Sequence, residues 1–187
     1  MFTRAAGIAG VAALGLACGG GPATSPFFLW TLRPGMPVGS VEDFVIKRFR
    51  PSESDTEVWE RCDSLSAGAR RCERMILAPW GRLQVVAAAD GRVQYLAFAP
   101  QTRDRAFDDS LTVMQRSWVR GENVQMEPHG VSEENPKGIA EMRSGRWRAF
   151  MTFDGKVCYG TNRPCPALIQ LVDWSAGRKY VDMSVPK

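Results

Sequence analysis

The stretch that decides the fold is GRLQVVAAADGRVQYLAFAP, residues 81–100. Polar Arg82 is followed by apolar Leu83 and Val85 at alternate positions, a period of two that is typical of a half-buried β-strand. The run ends at Asp90-Gly91, where glycine readily takes the positive φ of a tight turn, and a second apolar run follows. This stretch therefore predicts a β-hairpin.

A similar pattern recurs in the second half of the chain. Trp147, Ala149 and Met151 occupy alternate positions and lead to a second Asp-Gly pair, Asp154-Gly155, which Val157 follows. We interpret this as a second hairpin that turns at Asp154-Gly155. Because a helical pattern also precedes each hairpin, we interpret the two halves as copies of one unit.

The two helical patterns are bounded by helix start and stop signals. Ser40 suits the N-cap of the first helix, which ends before Pro51. Asp108-Asp109 suits the start of the second helix, and Gly121 suits its end. The apolar stripes consist of Val41, Phe44, Val45 and Phe49 in the first helix and of Phe107, Leu111, Met114 and Trp118 in the second.

Together these elements predict an α+β fold of two similar helix-plus-antiparallel-sheet units, with the helices packed on one sheet face. The first unit is placed at residues 32–100 and the second at residues 101–187. Further strands are predicted at residues 70–77, 138–143, 167–174 and 179–185.

The amino terminus has the form of an export signal. Residues 1–17 contain basic Arg4 and then an apolar run, as a bacterial signal peptide does. That run is shorter than the roughly 20 residues that a membrane-spanning helix needs. Residues 18–31, which continue with Gly-Gly-Gly-Pro after Cys18, are predicted to be a flexible tether.

The end of the signal, Leu14-Gly15-Leu16-Ala17-Cys18, resembles the lipobox of bacterial lipoproteins. The resemblance implies that Cys18 is diacylated and becomes the new amino terminus. Gly15 stands where those lipoboxes prefer leucine, and Gly15 with Ala17 also suits ordinary signal peptidase. We expect a lipid-anchored protein of the cell envelope that faces the periplasm or the exterior, with ordinary signal cleavage as the alternative.

The remaining cysteines are predicted to form disulfides, because the chain is expected to leave the reducing cytosol. They are Cys62, Cys72, Cys158 and Cys165. Other pairings are possible, but we favour Cys62 with Cys72 and Cys158 with Cys165, since short loops close with little loss of entropy. Neither pair has the spacing of a structural zinc site, and the sequence contains no Cys-x-x-Cys redox motif.

The tandem helix-then-sheet order allows a comparison with a known family. That order, together with the opening Pro34-Gly35-Met36 through Val41-Glu42-Asp43-Phe44-Val45, resembles the β-lactamase-inhibitor-protein-like group and its relatives, the small outer-membrane-assembly accessory lipoproteins. The close likeness covers this opening, and the rest matches only by element order. The resemblance implies an exported accessory module, of which a secreted inhibitor of a hydrolase is a special case.

We find no sequence motif for catalysis, for a cofactor or for a metal. The chain has one histidine, His129, and no Gly-x-Ser-x-Gly motif, which argues against a hydrolytic triad. No glycine-rich phosphate loop follows a strand, so no nucleotide cofactor is expected. The net charge of +4 is spread along the chain without a basic block, which does not suggest nucleic-acid binding.

The predicted partner surface is the sheet face turned away from the helices. It carries Arg82, Gln84, Arg146 and Arg148. An open face with arginines among residues such as Val86 and Phe150 has the composition of a protein interface, although the same face can also be merely solvated.

The function predicted from these features is that of a non-catalytic, envelope-tethered lipoprotein. It is expected to bind a protein partner in the envelope, and to bind the membrane through lipid on Cys18. The alternatives are an envelope hydrolase that uses carboxylates, which would need a deep pocket with convergent acids, and a purely structural lipoprotein.

Overall fold

The computed structural model describes residues 24–49, 61–65, 68–76, 81–101, 103, 105–120, 125–129, 137–158 and 163–184. The predicted signal peptide at residues 1–17 and the lipidation site Cys18 lie outside the described residues.

In the described part of the chain, eight strands form one antiparallel sheet. They are β1 (Arg61–Ser64), β2 (Arg70–Ile76), β3 (Gly81–Ala87), β4 (Val93–Pro100), β5 (Gln125–His129), β6 (Lys137–Ser144), β7 (Trp147–Val157) and β8 (Pro164–Asp173). The helices are α1 (Val38–Phe49), α2 (Arg105–Val119) and the short α3 (Trp174–Gly177), which a single 3-10 turn (Arg178–Tyr180) follows. The predicted α+β class is confirmed.

The strand order across the sheet is β1-β2-β3-β4-β8-β7-β6-β5. Each group of four consecutive strands is therefore contiguous, and the two groups meet where β4 pairs with β8. At that junction Tyr95 lies opposite Val172, and Phe98 lies opposite Ile169. Strands β2, β6 and β8 confirm the strands predicted at residues 70–77, 138–143 and 167–174.

The first predicted hairpin is confirmed as β3 and β4. Gly91 has φ +75°, and the Asp90 carboxylate accepts a hydrogen bond of 3.0 Å from the backbone N–H of Arg92. An aspartate that bonds to the backbone two residues on, followed by a glycine with positive φ, stabilises a tight turn. The local chemistry of Asp90-Gly91 therefore suffices to reverse the chain.

The second predicted hairpin turn, at Asp154-Gly155, is wrong. Strand β7 continues through this pair, with Asp154 opposite Lys137 of β6 and Val157 opposite Pro164 of β8. The register with β8 shifts between Phe153 and Val157, so the positive φ of Gly155 (+87°) is absorbed in a bulge. Neighbouring strands on both sides hold β7 in the sheet, and the same dipeptide signal therefore bends the strand instead of reversing it.

The helix boundaries differ slightly from those expected. Helix α1 begins at Val38, so Ser40 lies inside its first turn and its backbone N–H donates to the carbonyl of Pro37. Helix α2 begins at Arg105, which places Asp108 in the first turn and not before it. Acidic side chains are favourable throughout that turn, so they do not mark one starting residue.

Part of the predicted tether, residues 18–31, is packed against the domain, and residues 18–23 lie outside the described residues. Phe27 and Leu29 are buried, and Leu29 exchanges two backbone hydrogen bonds with Leu32. The indole N–H of Trp118 donates to the carbonyl of Phe28 at 3.0 Å, and the rings of Phe27 and Trp118 meet edge to face. The aromatic side chains of this segment are large enough to stabilise its packing against α2. The tether was predicted from its glycine and proline content, which does not show this packing.

The strand predicted at residues 179–185 is also wrong. Residues 178–180 form the 3-10 turn, and residues 181–184 are described without strand pairing. The nearest strand in the sequence is β8, which is already paired with β4 on one side and with β7 on the other. The segment that follows β8 therefore cannot pair with it as a further strand.

The buried side chains form two clusters. The larger contains apolar residues of both long helices, including Val41, Val45, Phe107 and Trp118, together with strand residues such as Leu83, Val85, Phe98, Ala149, Met151 and Leu171. The smaller contains residues at the alternate strand positions, which project from the other face of the sheet: Val86, Tyr95, Ala97, Ile139, Phe150 and Val172. Trp174, Tyr180 and Val181 pack against them. Both faces of the sheet therefore bury apolar side chains.

Candidate binding face

The sheet face of interest is the one that carries the smaller cluster. Strand registers place Gln84, Ala97, Gln170 and Phe150 in one row across β3, β4, β8 and β7. Side chains in such a row project from the same face because neighbouring partners in a sheet share one side of the pleat. We call this the tail face, because residues 174–184, the tail segment, supply Trp174, Tyr180 and Val181 to its cluster.

A groove of about 220 Å³ lies on the tail face between β3 and the tail segment. Its floor includes the small side chains Ala97 and Ala99, and its walls include Arg82, Gln84, Tyr180 and Asp182. Alanines remove bulk from the floor, while arginine, tyrosine and aspartate offer charge, an aromatic ring and a carboxylate at the rim. Such a groove has the size and the chemistry to accept one or two side chains of another molecule.

The tail segment is held against the sheet by a buried glutamine. The amide of Gln170 donates to the carbonyl oxygen of Asp182 at 2.7 Å and accepts from the backbone N–H of the same residue at 2.8 Å. The hydroxyl of Tyr95 donates to the Gln170 amide oxygen at 2.8 Å. Burial, and secondarily the charge of Asp182, raises the pKa of Tyr95 far above its ordinary value, so this hydroxyl stays protonated as a donor.

The side chain of Asp182 is itself ordered by its neighbour. Its carboxylate accepts hydrogen bonds from the hydroxyl (2.6 Å) and the backbone N–H (2.8 Å) of Ser184. These bonds lower the pKa of Asp182, so the carboxylate at the groove rim is ionised at neutral pH. The lining of the groove therefore includes an ionised carboxylate as well as Arg82.

The structure divides the four predicted partner-binding residues into two pairs. Arg82 and Gln84 both line the groove. Arg146 and Arg148 lie beside the tail face's other end, where Arg146 pairs with Asp173 (3.3 Å) and its guanidinium lies over the ring of Trp147. They do not line the groove.

Arg148 has a structural role. Its guanidinium donates to the carbonyls of Gly145 (2.6 Å) and Trp147 (2.9 Å), pairs with Glu141 at 3.4 Å and lies 5.9 Å from the ring centre of Trp174. Only 19% of the side chain is exposed. An arginine bound in this way holds the β6–β7 turn and the start of the tail segment together.

The tail face is less open than expected. Val86 and Phe150, which were expected among the arginines of an open surface, are 0% and 1% exposed. Trp174 packs 5.8 Å from Phe150, ring centre to ring centre, as part of the tail segment. Tyr180 and Val181, from the segment predicted as an additional strand, pack against the same cluster and cover part of this face.

One of the predicted disulfides is present. Cys158 and Cys165 are bonded, with their Cα atoms 4.8 Å apart, and link the end of β7 to the start of β8. Cys62 and Cys72 lie directly opposite each other in the register of β1 and β2. Their side chains are outside those that the structure describes, so this bond stays a prediction.

The described residues also show where the acidic and other ligand-type side chains lie. They include no group of three or more His, Cys, Asp or Glu side chains that could hold a metal ion. Two carboxylates with low exposure are each paired with arginine: Glu141 with Arg143 and Arg148, and Asp154 with Arg103. No helix among the described residues is long and apolar enough to cross a membrane.

Sequence reasoning missed Gln170, the residue that orders the tail face. The one available signal was that Gln170 is the only polar residue in the run Ala167-Leu168-Ile169-Gln170-Leu171-Val172. A lone polar side chain in an apolar strand needs a hydrogen-bond partner when buried, so it marks a specific contact. The identity of that partner, in the tail segment and β4, depends on the fold.

Compared with models of known families, with curated proteins and with solved structures, the chain matches none of them. Its function must therefore be argued from its own geometry.

Proposed function

We propose that this chain is an exported, lipid-anchored accessory module that binds a protein partner through the groove of the tail face. It acts without catalysis of its own, and lipid on Cys18 holds it at a membrane of the cell envelope. The observation that carries the proposal is the groove, which Arg82 and the ionised Asp182 line together with Ala97 and Ala99.

The groove suits a protein better than a small molecule. Its volume of about 220 Å³ is smaller than the roughly 300 to 1,000 Å³ that is usual for small-molecule sites. Its rim combines arginine and tyrosine, the residue types that most often supply binding energy between proteins. A partner that inserts one side chain between Arg82 and Tyr180 would contact both.

The ion pairs argue against the hydrolase alternative. A carboxylate that acts as a general acid needs a raised pKa, whereas hydrogen bonds and charges from Arg103 and Lys156 hold the pKa of Asp154 low despite its burial. Glu141 is committed to two arginines. These two carboxylates have structural partners.

The architecture proposed with this function is a tandem of two similar units whose long helices pack on the face opposite the tail face. A helix followed by four antiparallel strands occurs twice in element order, and the two groups of strands meet at β4 and β8. The larger core cluster, which contains residues of both helices, supports the packing. Such an arrangement leaves the groove of the tail face for a partner.

Export is supported by the disulfide and the sequence together. A stable bond between Cys158 and Cys165 is typical of an oxidising compartment, and the lipobox-like end of the signal leads there. The anchoring of the module to a membrane of the cell envelope is likewise part of the proposal.

The proposal is tested by site-specific photo-crosslinking in cells, with the crosslinking residue at Gln84 or at Ala106. Gln84 borders the groove, and Ala106 is an exposed position on α2. We expect a discrete crosslinked protein from Gln84 that is absent from Ala106. The same product from both positions, or none from Gln84, would contradict the proposal.

The captured protein then allows a quantitative test. Ala99→Arg fills the groove, and Ala106→Arg adds the same side chain at the exposed control position on α2. We expect the affinity for the captured protein to fall at least about tenfold in the groove variant, which corresponds to the loss of one good contact. The affinity of the control variant should stay unchanged. Equal affinities in two variants that melt like the parent would exclude the groove.

A further inference from the structure

A second cavity lies between α2 and the neighbouring ends of β7 and β8. It has a volume of about 220 Å³. Helix α2 supplies four of its lining residues at helical spacing, so they share one face of the helix: Asp108, Leu111, Thr112 and Gln115. The other lining residues are Phe153 in β7, Pro164 at the start of β8 and Arg163 immediately before it. We call it the Asp108 cavity.

Asp108 is a buried acid without a partner in the described part of the chain. The residue is only 7% exposed, and its carboxylate forms no hydrogen bond or ion pair with another described residue. Burial of a carboxylate is costly unless a partner compensates it. Since Asp108 lines the cavity, a ligand bound there can supply that partner.

The helix dipole explains an acid in the first turn of α2 but does not explain its burial. Asp108 lies in this turn, where a negative charge is favourable. The next residue, Asp109, offers the same charge on a side chain that is 72% exposed and that pairs with Arg105 at 3.9 Å. An acid that only stabilises the helix end does not need to be buried, so the position of Asp108 points to a further role.

Arg163 brings a positively charged group to the same cavity. Its guanidinium donates to the hydroxyl of Thr112 at 3.1 Å, one helical turn after Asp108. Its carbonyl oxygen accepts a hydrogen bond of 3.1 Å from the backbone N–H of Cys158, which is disulfide-bonded to Cys165. These contacts position Arg163 beside the cavity. A guanidinium has five N–H donors, so it can bind a carboxylate in addition to its existing contacts.

The lining favours a compact organic ligand over a metal ion. Asp108 is the only acidic side chain among the described lining residues, and the described residues hold no group of three or more metal-binding side chains. Hard cations need several oxygen ligands. Leu111, Phe153 and Pro164 add apolar surface that suits the carbon atoms of a ligand.

We propose that the Asp108 cavity binds a small zwitterion, an α-amino acid with an aliphatic side chain. Its ammonium group pairs with Asp108 and its carboxylate with Arg163, whose planar guanidinium matches that group. Its side chain lies against the apolar part of the lining. A simple amine places a positive charge near Arg163 without an anion between them, and a simple carboxylate meets the like charge of Asp108.

This inference does not depend on the proposed partner function, because the Asp108 cavity and the groove share no lining residue. The test measures binding of L-leucine and L-valine to the purified protein by titration calorimetry. Two matched probes each lack one charged group of leucine: isoamylamine lacks the carboxylate, and 4-methylpentanoate lacks the ammonium group. We expect both probes to bind at least about tenfold more weakly than leucine, as the loss of charge-assisted hydrogen bonds predicts.

Two variants at neighbouring positions locate the binding. Asp108→Asn removes the buried charge and keeps the shape of the side chain, and Asp109→Asn makes the same change at the exposed next residue as a control. We expect leucine to bind at least about tenfold more weakly to Asp108→Asn and equally well to Asp109→Asn. Because Asp108 has no partner among the described residues, Asp108→Asn should melt no lower than Asp109→Asn.

The proposal is supported if leucine or valine binds, both matched probes bind more weakly as stated, and only Asp108→Asn loses affinity. It is overturned if neither amino acid binds, if either probe binds as well as leucine, or if Asp108→Asn binds leucine like the parent. A melting temperature of Asp108→Asn well below that of Asp109→Asn would reveal a structural partner for Asp108 and would also overturn it.

Discussion

The side-chain amide of Gln170 forms two hydrogen bonds with the backbone of Asp182, as donor at 2.7 Å and as acceptor at 2.8 Å. Gln170 is 0% exposed, whereas the tail segment that it holds lies at the surface. One buried strand residue therefore anchors a segment that forms one wall of the groove. The bond pattern resembles the pairing of an additional strand, although this segment does not join the sheet.

Replacing Gln170 should loosen this anchor. Gln170→Met keeps the volume but leaves the Asp182 backbone and the Tyr95 hydroxyl without their partner, so we expect the free energy of unfolding to fall by about 2 to 4 kcal/mol. Urea unfolding of the parent and the variant measures this loss of stability. Asp182→Ala is the matched control, because it retains both backbone groups, and its loss should be less than half as large. Equal losses would show that the carboxylate, not the Gln170 amide, anchors the segment.

The Arg103–Asp154 pair makes stability depend on pH. Burial alone would raise the pKa of Asp154, but hydrogen bonds and charges from Arg103 and Lys156 lower it to about 2. Because the folded pKa is below the unfolded value of about 3.9, the stabilisation is present above pH 4 and is lost as the pH falls toward 2. We expect the pair to contribute about 1 to 2 kcal/mol to the free energy of unfolding at neutral pH, allowing for solvent screening.

This dependence is checked by urea unfolding at several pH values in the parent and in Arg103→Ala. The variant should be less stable at pH 7 and should lose less stability than the parent between pH 4 and pH 2. Carboxyl NMR titration should show a higher pKa for Asp154 in the variant. An unchanged Asp154 titration would show that Arg103 does not control it.

The cysteines should pair locally. Peptide mapping without reductant should give Cys158 joined to Cys165, and also Cys62 joined to Cys72, whose backbone positions face each other in β1 and β2. Replacing both members of the first pair with serine should cost about 2 to 3 kcal/mol, given the short loop that it closes. A bridge between Cys62 and either Cys158 or Cys165 would contradict the pairing.

Arg148 should matter for stability more than Arg146. Arg148→Ala removes two hydrogen bonds to backbone carbonyls and an ion pair with Glu141, so we expect a loss of about 1 to 2 kcal/mol. Arg146 is 47% exposed in its pair with Asp173, and Arg146→Ala should cost less than about 1 kcal/mol. Thermal unfolding of the two single variants compares them directly, and the reverse order would remove the structural role assigned to Arg148.

The proposed lipid anchor depends on Cys18. If Cys18 is acylated, Cys18→Ser should move the protein from the membrane fraction to the soluble fraction, because about 0.8 kcal/mol of membrane affinity is lost with each buried methylene. Intact-mass analysis of the native protein should show the acyl increment. A mature protein without that increment would indicate ordinary signal cleavage.

Where local chemistry decides the structure, the sequence predicted it. The Asp90-Gly91 hairpin, the apolar stripe of α2 and the Cys158–Cys165 bond all depend on residues close together in the chain. Where a neighbouring element overrides local preference, the prediction failed. Asp154-Gly155 carries the same turn signal, but pairing with β6 and β8 keeps it inside β7.

By itself the sequence determined the α+β class, the alternation that gives each strand two faces, and the helix stripe that joins the larger core cluster. Only the tertiary structure decided that β4 pairs with β8, that the tail segment lies on one face, and that Arg82 and Asp182 border one groove. The physical reason is the range of the contacts. Periodicity records whether a side chain faces core or solvent, whereas pairing between distant strands depends on the packing of the whole chain.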